Sequence, residues 1–598
     1  MSSRSFRSKP NSDVTYYPRL QGTYPRLQGT NGACATHHNL SAMAARDVLG
    51  NGGNAVDAAV AAVLVEGLVN PHMNSIGGEC PILIRMADTG KVVAINGNTA
   101  APQGANPEYF LRRGWKDMPD SGILAAGVPA TMASLLLALE SFGRLSFADV
   151  AATCLALANG GFPVHRGLLH QENFGILDMA ARINREWPGS ATLYLVNGNP
   201  PAEGSLIRNT ALASMLNYLI GEERGANGSR EDGIKAVRAG FYKGDVAAAI
   251  DRYSREHDGL LNREDLAIYQ ARLEQPLSRK FQGAEIFKCG FWTQGPTVLQ
   301  SLAILDRFDL RSMGHNSADY LHTVIEAVKL VYADREQFYG DGQNTEVPEI
   351  ALLSDDYAAL RAALIDPARS LPDLQPGDPV NMQAKMALNK TFGGASWGHG
   401  TVHVDVIDAD GNMVAATPSG GWIKNGEVMP DLGFPLGNRL MTFYLGPDNH
   451  PNCVAGGKRP RTTISPSLLL KDDRPWMVFG TMGGDQQDQW QLQYFLNLTV
   501  FGMSLQQAIE APKFSSEHFP GFFSPHDRMP NQVRIEERVD AGILSDLERR
   551  GHVVAAAVDW TEGHMLAASQ DPDTGLLEAG CDPRCAKSEI FPATALCW

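Results

Sequence analysis

The chain has 598 residues, of which 44% are hydrophobic and 20% charged, with 66 acidic against 51 basic side chains and a formal net charge of −15. That length calls for two domains or one large layered domain, and the composition is that of a folded globular protein rather than a disordered one. The acidic balance excludes nucleic acid and anionic membrane surfaces as partners, and no run nears the ~18 apolar residues of a spanning helix, so small molecules or peptides are the expected ligands.

The N-terminus, MSSRSFRSKPNSDVTYY, is polar and basic without the apolar core of a secretory signal, which implies a cytoplasmic protein. YPRLQGT occurs at 17 to 23 and again at 24 to 30, and reads as a slipped repeat within a disordered tail over 1–31. From Gly32 to about residue 370 the pattern is mainly helical. Ser41 to Leu49 forms a short helix stopped by the GNGG at 50 to 53, and Ala55 to Leu68 forms an alanine-rich buried one. Ser317 caps another, with Leu321, Val324, Ile325 and Val328 on one face and charges opposite.

Between about 368 and 400 the texture becomes rich in Pro, Gly and Asp without periodicity, the mark of an exposed loop. TVHVDVID at 401 to 408 then alternates strictly and returns after ADGN as MVAAT, a hairpin signal. A second hairpin is expected from 467–470 and 476–480, followed by a helix from Gln486 to Phe501. Helices outside stacked antiparallel strands give a layered α/β (α+β) architecture.

Eight cysteines lie too far apart for a disulfide scaffold, and Cys581 and Cys585 read as two ordinary thiols. His37 and His38 are adjacent, which is poor geometry for binding one metal. With no phosphate-binding glycine loop and no clustered His/Cys set, neither metal nor cofactor is expected.

The chemically informative junction is Gly400/Thr401, where a glycine-rich loop feeds a core strand. A threonine hydroxyl is a weak nucleophile, but an α-amino group on the same residue, of pKa about 7.7 to 8.0, can take its proton at neutral pH. That amine exists only if the chain is cut there, through attack of Thr401 Oγ on the Gly400 carbonyl. On the residues alone, β propensity is the better explanation of the threonine.

Several separated segments, in order across roughly 32 to 598, resemble the gamma-glutamyltransferase family of N-terminal-nucleophile hydrolases. They are GNGGNAVDAAVAAVLVEGLVNPHMNSIGGE at 50 to 79, ILAAGVPATMASLLLALESFGRLSF at 123 to 147 and YLHTVIEAVKLVYADRE at 320 to 336, then TVHVDVIDADGNMVAAT, GGKRPRTTISPSLLLKD at 456 to 472, GTMGGDQQDQWQLQ at 480 to 493 and AIEAPKF at 508 to 514. The resemblance implies a four-layer αββα sandwich, a precursor cut into a large chain (32–400) and a small chain (401–598), and a heterodimer of the two in one composite domain. It implies catalysis through an acyl-enzyme on Thr401, passed to water or an amino acceptor. Ser419 matches the hydroxyl that steadies the nucleophile, and Gly483 and Gly484 the backbone donors to the oxyanion. Thr462 and Thr463 fall where the family has paired serines on the substrate. His403 matches a strand histidine, read as a packing or hydrogen-bonding residue.

The sequence departs from the family where a gamma-glutamyl head would be held. Pro107 stands at the arginine, with Arg112 the first arginine after it, and Gly421 and Thr442 stand at an asparagine and an acidic residue. Losing a cation, an amide and an anion together points to a different acid, of the glutaryl or oxamate type. Arg439 is a new charge that can pair with a carboxylate bidentately, against the plainer reading of a surface ion pair, and Trp422 is a candidate pocket wall. Glutathione-type amides are the family default, and from another class an uncut, non-catalytic binding subunit remains the alternative.

Overall fold

The computed structural model describes residues 24–170, 175–387, 400–523, 526–587 and 590–598. Two seven-stranded sheets lie face to face. The first runs, in spatial order, Thr594–Cys597, Gly32–Thr36, Val404–Asp408, Met413–Ala416, Ile82–Arg85, Val92–Asn96, Arg272–Glu274. The second runs Leu27–Gly29, Leu577–Cys581, Leu566–Gln570, Arg474–Gly480, Ser467–Lys471, Ala284–Lys288, Leu277–Phe281. All pairings within both sheets are antiparallel.

Period-two alternation sends each strand's side chains to two different cores. Leu83, Ala94, Ile407 and Met413 meet Phe287, Leu468, Val478 and Leu566 between the sheets. Val404, Val406 and Val414 point the other way, into a core built on the helix Ala55–Val69. Ile286, Leu469, Met477 and Phe479 face a second outer layer formed by the helices Pro296–Leu305, Ala318–Phe338 and Gln487–Thr499. The layers are therefore α, β, β, α, the sandwich that the resemblance implies.

Both hairpins form. Val404 pairs with Ala416 and Ile407 with Met413 around a turn in which the Asp408 carboxylate accepts from the Asp410 and Asn412 N–H groups. In the second, Asp472 and Asp473 both adopt positive φ, at 52° and 59°, the left-handed pair that a two-residue turn needs to match strand twist.

Four expectations need correction. The stretch from 32 to 370 is not a helical layer alone, because six of the fourteen sheet strands come from it, among them Gly32–Thr36, an inner strand one place from the edge of the first sheet. Gly32–Thr36 and Ile82–Arg85 are short and buried on both faces, so they show no alternation to read. Structure begins before Gly32, since Leu27–Gly29 pairs with Leu577–Ala579. The helix Ala318–Phe338 is buried all round rather than on one face. Its charges are satisfied internally, Lys329 by Glu326, Asp334 by Arg361 and Arg335 by Asp485. Finally, the strand expected from Thr401 begins at Val404. Within the expected 368–400 loop no helix or strand is present through 387, and 388–399 lie outside the described residues, as does most of the 1–31 tail.

Candidate active site

Thr401 sits just ahead of the strand Val404–Asp408, where ladder pairing has narrowed to a single bridge with Ser419. Ser419 also bridges Glu79, and Gly420 bridges Asn74, so three segments meet here. They are the chain entering from Gly400, the return after Ala416, and the glycine-rich stretch that follows the helix Ala55–Val69. Gly420 and Gly421 turn the return at φ 80° and 68°, and a Cβ on Gly421 would collide with Ser75 Oγ. The family's asparagine has no room at 421 in this backbone.

Side chains converge on the junction. Thr401 Oγ1 lies 3.0 Å from Ser419 Oγ, which donates to the Gly400 carbonyl at 2.9 Å. The Trp422 indole N–H reaches that same carbonyl at 2.7 Å and the Met73 carbonyl at 2.8 Å. Arg439 donates to Ser419 Oγ through Nη2 and pairs with Glu79 Oε1 through Nε at 2.6 Å. It is no surface ion pair, being 1% exposed beside a fully buried Glu79. Burial pushes the guanidinium pKa down and Glu79 opposes the shift. Its Nη1 has no hydrogen-bond partner among the described residues.

Glu79 gathers the site further, accepting from Thr462 Oγ1 at 3.0 Å and from the Thr99 N–H at 3.3 Å. Thr463 instead faces the start of the helix Gln487–Thr499, where Gln487 Nε2 is 3.5 Å away. Gly483 and Gly484 lead into that helix at φ 126° and 56°. A Cβ on Gly483 would stand 2.5 Å from the Trp490 ring, so only glycine fits. Met482, just before them, packs with Met73 and Val402, which brings this turn against the chain on either side of Thr401.

His403 is buried between the sheets, with Nδ1 2.9 Å from Thr417 Oγ1 and Nε2 2.8 Å from Asp405 Oδ1. Burial lowers the His403 pKa to about 3 and raises that of Asp405 well above the usual carboxylate range. Burial thus disfavours the charged form of both partners, and the His403–Asp405 contact is a structural hydrogen bond inside the core. His37 accepts the His403 backbone N–H at 2.8 Å at the strand end, while His38 Nδ1 accepts the Leu40 N–H at 3.1 Å and caps the helix Asn39–Gly50.

Reading the sequence missed Glu79, although a lone carboxylate inside an apolar, glycine-rich run was a usable signal. It also missed Lys424, buried near the Trp422 ring with its pKa pushed down to about 7 by desolvation. One clustered ligand set does exist, contrary to expectation. His322, Glu326 and His552 offer ligand atoms within 4.8 Å of one another, from positions up to 230 residues apart. Their present chemistry is a His322 Nδ1 to His552 Nε2 hydrogen bond of 2.8 Å and an ion pair from Lys329 to Glu326. No disulfide joins any of the eight cysteines, and no helix among the described residues is long and apolar enough to cross a membrane.

The sequence matches the family model for Gamma-glutamyltranspeptidase over residues 41–591. The chain belongs to the gamma-glutamyltranspeptidase family. Among relatives, it is 29% identical to the Escherichia coli (strain K12) glutathione hydrolase proenzyme, covering 90% of this chain and 88% of that one. Among solved structures, LmbA2991HD superposes with a TM-score of 0.89 at 39% identity, covering 96% of this chain and 99% of the other. The cephalosporin acylase from Bacillus halodurans does so with a TM-score of 0.82 at 27% identity, covering 98% and 99%. The N-terminal-nucleophile sandwich and an enzymatic activity on amide bonds follow from this membership. Within the gamma-glutamyltranspeptidase frame, the segment carrying Pro107 packs next to the Arg439 segment, Phe110 sharing an apolar cluster with Leu440 and Phe443. Arg112, in contrast, is spent on an exposed pair with Glu108. Thr442 uses its hydroxyl on the Arg439 carbonyl at 2.7 Å.

Proposed function

We propose that this family member matures by cleavage between Gly400 and Thr401 and then hydrolyses amides of a carboxylate-bearing acyl group other than gamma-glutamyl. The two chains stay together as a heterodimer, because the new small chain begins inside the shared first sheet. Thr401 Oγ1 is the nucleophile and its freed α-amine the base, with Ser419 steadying the hydroxyl. The N–H groups of Gly483 and Gly484 receive the oxyanion. Arg439 Nη1 takes the distal carboxylate of the acyl group, and Thr462 and Thr463 line the approach. Hydrolysis is favoured over transfer because no separate acceptor site is evident from the sequence.

The observation that carries this reading is the 3.0 Å contact between Thr401 Oγ1 and Ser419 Oγ, with Arg439 on the same serine. Arg439 is aimed by Glu79 and retains an unused N–H, the geometry of a carboxylate anchor. A second reading rests on the same pair, since a cation and an anion side by side can hold the zwitterionic head of glutathione.

A panel of p-nitroanilides tests both. Glutaryl and other non-amino-acid acyl groups are expected to be cleaved faster than gamma-glutamyl, with acyl mass appearing on the small chain. Faster release from gamma-glutamyl would overturn the acyl assignment and favour the second reading.

A further inference from the structure

We infer that Trp422 is a catalytic residue of the self-cleavage step, donating its indole N–H to the carbonyl oxygen of the bond that breaks. This rests on the reading that the chain opens between Gly400 and Thr401. The Gly400 oxygen receives two side-chain donors, Trp422 Nε1 at 2.7 Å and Ser419 Oγ at 2.9 Å. The attacking atom, Thr401 Oγ1, is 3.0 Å from that same Ser419 oxygen. Thr401, Ser419 and Trp422 are at most 1% exposed, so water does not compete for the carbonyl. Two preoriented donors on one carbonyl in a water-poor site form an oxyanion hole. It is distinct from the one assigned to Gly483 and Gly484.

The chemistry balances within this set. Thr401 Oγ1 bonds to the Gly400 carbonyl carbon, and the C=O π pair moves onto the oxygen held by Trp422 and Ser419. Collapse breaks the C–N bond, and the proton that left Oγ1 ends on the Thr401 nitrogen. The product is an ester of Gly400 on Thr401 Oγ1 with a free α-amine. Water then hydrolyses it to the Gly400 carboxylate and the Thr401 hydroxyl.

Two further features fit the indole to this step. In the resting chain its N–H is shared with the Met73 carbonyl at 2.8 Å. As charge grows on the Gly400 oxygen, a charge-assisted bond outcompetes that neutral one, so the stabilisation strengthens toward the transition state. The carbonyl is also held against the indole by crowding. A Cβ at Gly400 would stand 2.6 Å from Met73 Sδ, 2.7 Å from Met73 Cα and 2.9 Å from the His72 oxygen. Only glycine can place its carbonyl here.

The test follows the uncut fraction over time by intact mass, in full-length chains made by cell-free synthesis. Trp422→Phe keeps an aromatic ring beside Phe523, which the indole meets edge-on at 5.9 Å, and removes the N–H together with the fused five-membered ring. It is expected to slow cleavage by at least about tenfold, below the roughly 10²–10³ lost with an unshared oxyanion donor. The same change in a Thr401→Ala background, where no cleavage can occur, reports by thermal melting whether the fold is kept. Cleavage of a folded Trp422→Phe chain at the wild-type rate overturns the inference. Should that variant fail to fold, Gly400→Ala displaces the carbonyl from the indole and must slow cleavage; an unchanged rate overturns the inference equally. A wild-type chain that never cleaves overturns the maturation reading itself, which separates the two failures.

Discussion

Two glycine pairs in left-handed backbone belong to the candidate site, and under the proposed function they do different work. Gly483 and Gly484, at φ 126° and 56°, lead into the helix Gln487–Thr499, where their backbone N–H groups are the proposed donors to the oxyanion of a bound substrate. Gly420 and Gly421, at φ 80° and 68°, turn the chain so that Ser419 and Trp422 bear on the Gly400 carbonyl, which belongs to the bond proposed to break in maturation. In that reading the first pair donates directly and the second aims side chains.

Variants can separate these roles. The largest effect belongs to Thr401→Ala, which removes the atom both reactions share; one uncut chain without amidase activity is expected by gel and p-nitroanilide assay. Next comes Gly483→Ala, whose Cβ meets the Trp490 ring at 2.5 Å. Turnover should fall by roughly 10²–10³, more than self-cleavage does, and equal losses in both would merge the two donor sets.

Arg439→Met tests the aiming side of the comparison. It leaves Glu79 buried without its cation, and urea unfolding should show a loss of about 3–5 kcal/mol, with Glu79→Gln/Arg439→Met recovering most of it. Stability should return in the double variant while affinity for a carboxylate-bearing acyl group does not. The smallest effect per residue is from pH. Burial depresses His37, His38 and His72 well below 6.5, His403 to about 3 and His564 to about 4. Depressed folded-state values mean stability held above the unfolded pKa of about 6.5 and lost as pH falls below it. Each of these histidines contributes a slope of up to about 1.4 kcal/mol per pH unit in that window. His403→Asn should flatten the fall in melting temperature between pH 6.5 and about 4, and an unchanged profile would mean that His403 is protonated in the fold.

How much of this the sequence disclosed depended on whether each signal was local. The 401–417 hairpin was legible because alternation and a turn lie within seventeen residues, and the alanine-rich run after GNGG marked the helix from Ala55 for the same reason. Strands such as Gly32–Thr36 were not, because a strand buried on both faces carries no alternation. Thr401, Ser419, Gly483, Gly484 and Thr462 were reached through resemblance, since each alone is an ordinary strand or turn residue. Arg439 was noticed as a charge, but its partner Glu79 lies 360 positions earlier, and no spacing rule connects them. Trp422 was noticed as a pocket wall, while its bond to the Gly400 carbonyl depends on a turn that only the folded chain makes.

Intact mass with N-terminal sequencing of the purified wild type beside Thr401→Ala tests the central claim most directly. The account predicts two chains in the wild type, the smaller beginning at Thr401, and one uncut chain in the variant. A single uncut wild-type chain, or a small chain beginning at any other residue, would contradict it.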